Sequence, residues 1–209
     1  MLNKIEGSSL SKLAELSEIQ KYLNQCWLFL PEEVSVLPKE TIDNWAEQIS
    51  CQINQLSHGH MFAYSVEQAQ ADLSQGMSMA LTSPDQKQVL SYIKKVAWPN
   101  SHGTACWEVG SLFTDLLVQN HGVGKHMVKQ FYEVGGLKTL PEPIIAVVTI
   151  DNLASLNVFR ACQWTEIQPT PEASAGFSVF NINGANIFED WGLPSSIFTL
   201  PKLSVKQLS

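Results

Sequence analysis

The stretch 107–128, WEVGSLFTDLLVQNHGVGKHMV, holds the most pointed chemistry in the chain. Strand-forming residues from Trp107 to Thr114 feed a loop with glycines at Gly122 and Gly124. A helical apolar pattern (Val123, Met127, Val128, Phe131) starts there. The first N–H groups of a helix lack partners inside the helix, and the aligned peptide dipoles make that end partly positive. Glycine lets the backbone approach a ligand closely and adopt positive φ. The pattern therefore predicts an anion site suited to a phosphate or diphosphate, with Lys125 adding charge beside it.

Two well-known phosphate loops do not fit. The nucleoside-triphosphate P-loop needs a glycine five positions before its Gly-Lys pair and Ser or Thr after it. Those positions are Gln119 and His126. The dinucleotide fingerprint needs a glycine at position 127, which is Met127. What the chain does contain is Gln119-x-x-Gly122-x-Gly124. Downstream, the β-branched run Ile144 to Ile150 is followed by Asp151, Asn152, Ser155, Phe159 and Trp164.

Taken together, these residues resemble the GCN5-related N-acetyltransferase (GNAT) superfamily. The first set resembles its acetyl-CoA loop, Q-x-x-G-x-G, between the fourth strand and the third helix. The second resembles the signature N-x-x-A/S-x-x-x-Y-x-x-x-G-F after the fifth strand. Two positions depart from it: Phe159 stands where the family has tyrosine, and Gln163 where it has glycine. The resemblance covers about residues 66–183, with sharp motifs in 107–128 and 144–164.

The resemblance implies site roles. Leu112, Phe113 and Thr114 would face the pantetheine arm where the strand splays at a bulge. Gln119, Asn120, His121, Gly122, Val123, Gly124 and Lys125 would surround the diphosphate. Asn152, Ser155 and Phe159 would line the arm from the second motif. Glu108, eleven residues before Gln119, is the candidate general base. A carboxylate between apolar Trp107 and Val109 can have a raised pKa, which suits base work near neutrality. Its alternative reading is a strand glutamate in a structural hydrogen bond or facing solvent. Phe159 has no proton to donate.

The implied reaction is acetyl (acyl) transfer from acetyl-CoA, a co-substrate, to a primary amine by direct attack in a ternary complex, with no metal. The acceptor would be a small-molecule or protein amine, and family members often form a homodimer. Two other functions stay open. One is a catalytically impaired acyl-CoA-binding sensor or interaction module, motivated by Phe159 and Gln163. The other is an interaction protein whose glycine loop is only a turn.

The elements that must position these residues are readable from periodicity. Leu10, Leu13, Leu16, Ile19 and Leu23 recur at helical spacing, as do Ile42, Trp45, Ile49, Ile53 and Leu56 after prolines 31 and 38. Trp27 to Leu30 reads as a short strand between them. Val66 to Ser74 reads as a helix stopped by Gly76. Strands follow at 77–81, 89–96 and 107–114, then a helix at 122–135, a strand at 144–150, a helix at 152–162 and a strand at 177–182. This order predicts an α/β or α+β fold with a mixed sheet covered by helices. The resemblance makes the central sheet mostly antiparallel. We expect an N-terminal helical segment over 1–60 packed on a main domain over 61–209.

Bulk properties narrow the rest. Of 209 residues, 44% are hydrophobic and 16% charged, enough to bury a sizeable core. The net charge of −7 disfavours phosphate polymers and anionic membranes as partners. The four cysteines form no CxxC pair, which predicts reduced thiols in a cytoplasmic protein. His58 and His60 form an HxH pair, better read as solvated loop histidines than as metal ligands.

Overall fold

In a computed structural model, the described residues are 18–56, 63–99, 105–140, 144–149, 152–167 and 177–181. Leu10, Leu13, Leu16, His58 and His60 lie outside them.

Helix α1 is described over 18–23. It is followed by β1 (Trp27–Phe29), α2 (Pro31–Val34), α3 (Lys39–Leu56) and α4 (Val66–Ser74). A meander comes next: β2 (Ser78–Thr82), β3 (Val89–Pro99) and β4 (Ala105–Thr114). The chain continues through α5 (Val123–Glu133), β5 (Ile144–Thr149), α6 (Leu153–Ala161), β6 (Thr165–Ile167) and β7 (Phe177–Asn181). The strands form one sheet in the order β1-β2-β3-β4-β5-β7-β6. All pairs are antiparallel except β4 with β5. The sheet is thus mixed and mostly antiparallel.

The core lies in two layers because the strands alternate their faces, β3 changing phase where its register with β2 shifts between Val89 and Ser91. Met79, Leu90, Ile93 and Val109 pack with Val123, Met127, Phe131, Leu156 and Phe159, so α5 and α6 cover one face. Ala80, Val89, Tyr92 and Phe113 pack with Ile42, Trp45, Ile49, Ile53, Ala69 and Leu73, so α3 and α4 cover the other. Ile42, Trp45, Ile49 and Ile53 on α3 are buried as their periodicity predicts. Residues 27–56 join the sheet and its core: β1 pairs with β2, and α3 supplies Ile42, Trp45, Ala46, Ile49 and Ile53 to the second layer. A polar cluster lies on the α3/α4 side. Lys94 Nζ donates to Asp72 (2.7 Å), the Tyr64 hydroxyl donates to the same carboxylate, and the Tyr64 and Tyr92 hydroxyls lie 3.1 Å apart. Burial raises the pKa of both phenols, so they stay neutral.

Local chemistry sets the helix ends. Ser65 and Gln68 form a reciprocal capping box on α4, and Gly76 at φ +65 closes its other end. Pro31 opens α2, which periodicity missed, and Glu33 reaches back to the Leu30 N–H at 2.8 Å. The second motif reads the same way. The Asn152 Oδ1 accepts from the Ser155 N–H at 3.1 Å, capping α6. At the far end the Trp164 N–H reaches the Phe159 carbonyl and the Gln163 N–H reaches the Arg160 carbonyl. The Phe159 and Trp164 rings meet edge to face at 5.1 Å. This is a Schellman closure with its hydrophobic contact.

Gln163 sits in that closure at φ +61, where a side chain is strained. Gln163→Gly is therefore expected to stabilise the protein by about 0.5–1 kcal/mol and raise Tm by roughly 2 °C. Thermal unfolding checks this; a lower Tm would show that the glutamine side chain contributes more than its backbone costs.

Among the described residues no helix is long and apolar enough to cross a membrane, and no group of three or more His, Cys, Asp or Glu is placed to hold a metal ion.

Candidate active site

The site begins where β4 and β5 part. Among the described residues their parallel pairing is confined to Trp107 with Ile144 and Glu108 with Ile145. Beyond that, β4 keeps its partner β3 on one side only. Its register slips between Tyr92/Phe113 and Lys94/Gly110, which places two residues, Ser111 and Leu112, opposite the single residue Ile93. Ser111 takes φ +52 to make this bulge. The strand is bent away from β5 and a fork opens between them.

The head of α5 stands at the mouth of the fork. Gly122 is its N-cap at φ +78, and no side chain caps it. The first N–H groups of α5 therefore point outward without partners in the helix. An alanine Cβ at Gly122 would meet nothing within 4 Å, so only its backbone conformation demands glycine. Gly122→Ala is expected to cost about 1 kcal/mol in chemical denaturation, and Gly122→Asn much less. Equal stability of all three proteins would show that the turn relaxes freely. Gly124 is glycine for a different reason. A Cβ there would lie 3.2 Å from Val158 Cγ2 and 3.5 Å from Thr114 Oγ1, so α5 and α6 can approach only without it.

A cleft of about 450 Å³ joins these parts. Of the residues singled out in the sequence, it is lined by Leu112, Phe113, Thr114, Gln119, Asn120, Gly122, Val123, Gly124, Lys125, Asn152 and Ser155. Ile53 of α3 closes it on one face of the sheet, and Ala154, Asn157, Val158 and Ala161 extend it along α6. Sequence reasoning missed these five. The signal for the α6 residues was their mutual spacing of three to four along the helix that the capping asparagine opens, which puts them on one helix face.

Three expected residues sit elsewhere. His121 lies in the loop but does not line the cleft. Phe159, expected against the pantetheine arm, is buried against Trp164 in the core, because the helix turns that position inward. Glu108 is partly exposed on β4 and does not line the cleft either. It is the last β4 residue paired with β5. Val109 packs toward α5 and α6, so alternation turns Glu108 to the α3/α4 face. Its Oε1 lies 3.4 Å from where a Cβ on Gly110 would be, so the carboxylate leans along the strand toward the fork.

Two side chains have other duties than the sequence suggests. Gln119 Nε2 donates to the Thr114 carbonyl at 2.8 Å, and the Asn152 oxygen is used in capping α6. Nearby, Cys162 Sγ points at the Lys125 carbonyl (3.6 Å), and burial pushes its thiol up to about 11, so it is no thiolate nucleophile near neutrality.

No protein-family model matches the sequence, and no curated protein matches it. Solved structures do. An N-acetyltransferase from Staphylococcus aureus Mu50 superposes with a TM-score of 0.56, at 9% identity over 75% of this chain and 97% of that one. An acetyltransferase of the GNAT family from Streptococcus pneumoniae gives 0.53, at 10% identity over 75% and 96%. The chain has the GNAT fold. A chain of the NatC complex bound to Gag peptide and CoA is similar too, with a TM-score of 0.55 at 13% identity over 75% of this chain and 95% of that one. Within the GNAT fold, the loop 119–124 lies between the fourth strand and α5, and Asn152 opens the helix after the fifth strand. At such low identities the likeness shows the fold, and function rests on the cleft.

Proposed function

We propose that this chain is an N-acetyltransferase that moves an acetyl group from acetyl-CoA to a primary amine by direct attack in a ternary complex. One observation carries the reading: a single cleft runs from the bare head of α5 to the side of β4 that β5 leaves unpaired. A diphosphate ester with a long polyamide arm suits both ends. The diphosphate meets the first N–H groups of α5, with Lys125 beside them. The arm lies along Leu112 to Thr114, where backbone groups that would have paired with β5 meet its amides. The groove along Ala154, Asn157, Val158 and Ala161 takes the nucleotide end. The solved NatC complex, whose fold is similar, holds CoA and a peptide, which supports CoA and an amine acceptor as ligands here.

In this arrangement the thioester lies in the fork and the amine arrives from the α3/α4 side, the side that Glu108 faces. The Glu108 carboxylate leans over Gly110, about two residues or roughly 7 Å short of Leu112, a gap for bridging water. The amine lone pair attacks the carbonyl carbon, and its proton passes through water to Glu108. A β4 N–H holds the oxyanion, the C–S bond breaks, and coenzyme A leaves as thiolate. A thiol pKa of about 8.5 makes that departure tolerable without a phenol.

A second reading has one observation behind it. Phe159 occupies the place of the family's tyrosine and is buried, so it supplies no acid. The chain would then be a CoA-binding module that no longer turns over. Thiol release from acetyl-CoA with a panel of primary amines separates the two. Release with any amine supports the enzyme. Tight CoA binding with no release from any amine supports the module, and no CoA binding at all overturns both.

A further inference from the structure

The glutamine of Gln119-x-x-Gly122-x-Gly124 reads in sequence as part of a diphosphate loop, but its side chain turns the other way. Its Nε2 donates at 2.8 Å to the carbonyl of Thr114, five residues back on β4. The strand's direction gives that contact meaning. The Asp115 N–H bonds to the Leu90 carbonyl of β3 at 2.7 Å, so the backbone groups of Asp115 and Phe113 face β3. The Phe113 carbonyl on that side also accepts from the fully buried Ser91 hydroxyl at 2.6 Å. By alternation the Thr114 N–H and C=O face the opposite way, toward the fork, where the ladder with β5 has already ended. Two backbone groups of opposite polarity thus meet the cleft at one residue, and Gln119 occupies the acceptor.

We propose that Gln119 is a positioning residue for the acyl donor: it binds the Thr114 carbonyl and so fixes the backbone of Thr114 with its N–H, on the preceding peptide, turned to the pantetheine arm. The inference rests on coenzyme A lying in the fork as proposed above. Gln119 then acts through β4 and does not touch the diphosphate. Asp115 braces the same segment, since its carboxylate accepts from Gln52 at 2.9 Å and from the Leu117 N–H at 2.9 Å. Thr114 is therefore held on both flanks, and its own hydroxyl lies 3.3 Å from that of Ser91.

The test compares two ligands that share a diphosphate and differ in the arm: coenzyme A, and adenosine 3′-phosphate 5′-diphosphate, which lacks pantetheine. Calorimetric titration of Gln119→Met, similar in length but without a donor, is expected to weaken coenzyme A about tenfold. The nucleotide should change by less than about twofold, because the head of α5 is untouched. Gln119→Arg, which keeps a donor, should recover most of the preference for coenzyme A over the nucleotide. Equal loss of both ligands in Gln119→Met would place the side chain on the diphosphate and overturn the proposal, leaving the CoA reading intact. Wild-type protein that binds neither ligand would remove the CoA reading and this inference with it. Amide hydrogen exchange on the unaltered chain needs no variant: coenzyme A should slow exchange at Thr114 and the nucleotide should not. No change at Thr114 with saturating coenzyme A would also overturn it.

Discussion

Gly124→Glu is expected to abolish coenzyme A binding, with a dissociation constant at least ~100-fold weaker by calorimetry. Two effects add. The new Cβ meets Val158 Cγ2 at 3.2 Å and Thr114 Oγ1 at 3.5 Å, so the two helices must part or the side chain must turn out into the cleft. There its carboxylate stands where the diphosphate would lie. Like charges about 4 Å apart repel by roughly 4 kcal/mol at an effective dielectric of 20, which exceeds two decades in affinity. Gly124→Ala carries the crowding without the charge and should lose less. Wild-type affinity in Gly124→Glu would place the ligand elsewhere and end the assignment of this loop.

The second large effect is catalytic. Glu108→Gln should lower amine-dependent turnover about 100-fold and leave coenzyme A affinity unchanged, since a positioned base typically contributes 10²–10⁴. The substitution keeps the shape and removes the basic oxygen. The unchanged affinity follows from position: Glu108 stands before the fork and outside the cleft lining. Thiol release with the amine panel gives the rate and calorimetry gives the affinity. Full activity in the variant would dismiss Glu108 as the base. A parallel loss of affinity would show that it shapes the fork instead.

What could be read from the sequence divides along the distance over which each feature is determined. The helix after β5 was legible because its caps are local. Asn152, Ser155, Phe159, Gln163 and Trp164 are the N-cap, a capped N–H, the inward contact, the left-handed residue and the closing aromatic of one helix. Gly122 was legible for the same reason. The bulge at Ser111 arises from the slipped pairing with β3, and nothing about a serine announces φ +52. The side-chain direction of Gln119 depends on where β4 ends relative to its own loop. Phe159 was placed on the ligand because the motif fixes its helix position but not how far inward its ring turns. The strand β6, three residues long, left no periodicity to detect. Ile53 entered the cleft only because α3 crosses the sheet beneath the fork, a matter of packing between distant segments.

The seam between β4 and β5, two pairs long among the described residues, also bears on mechanics. On one side of it lie β1 to β4, and on the other β5, β7 and β6, so among the described residues the shared core under α5 and α6 binds the two sides more than main-chain rungs do. A molecule seated in the gap would act as a keystone, spanning rungs the polypeptide itself omits. Occupancy would then stiffen the gap locally, while the single core under α5 and α6 keeps unfolding cooperative in either state.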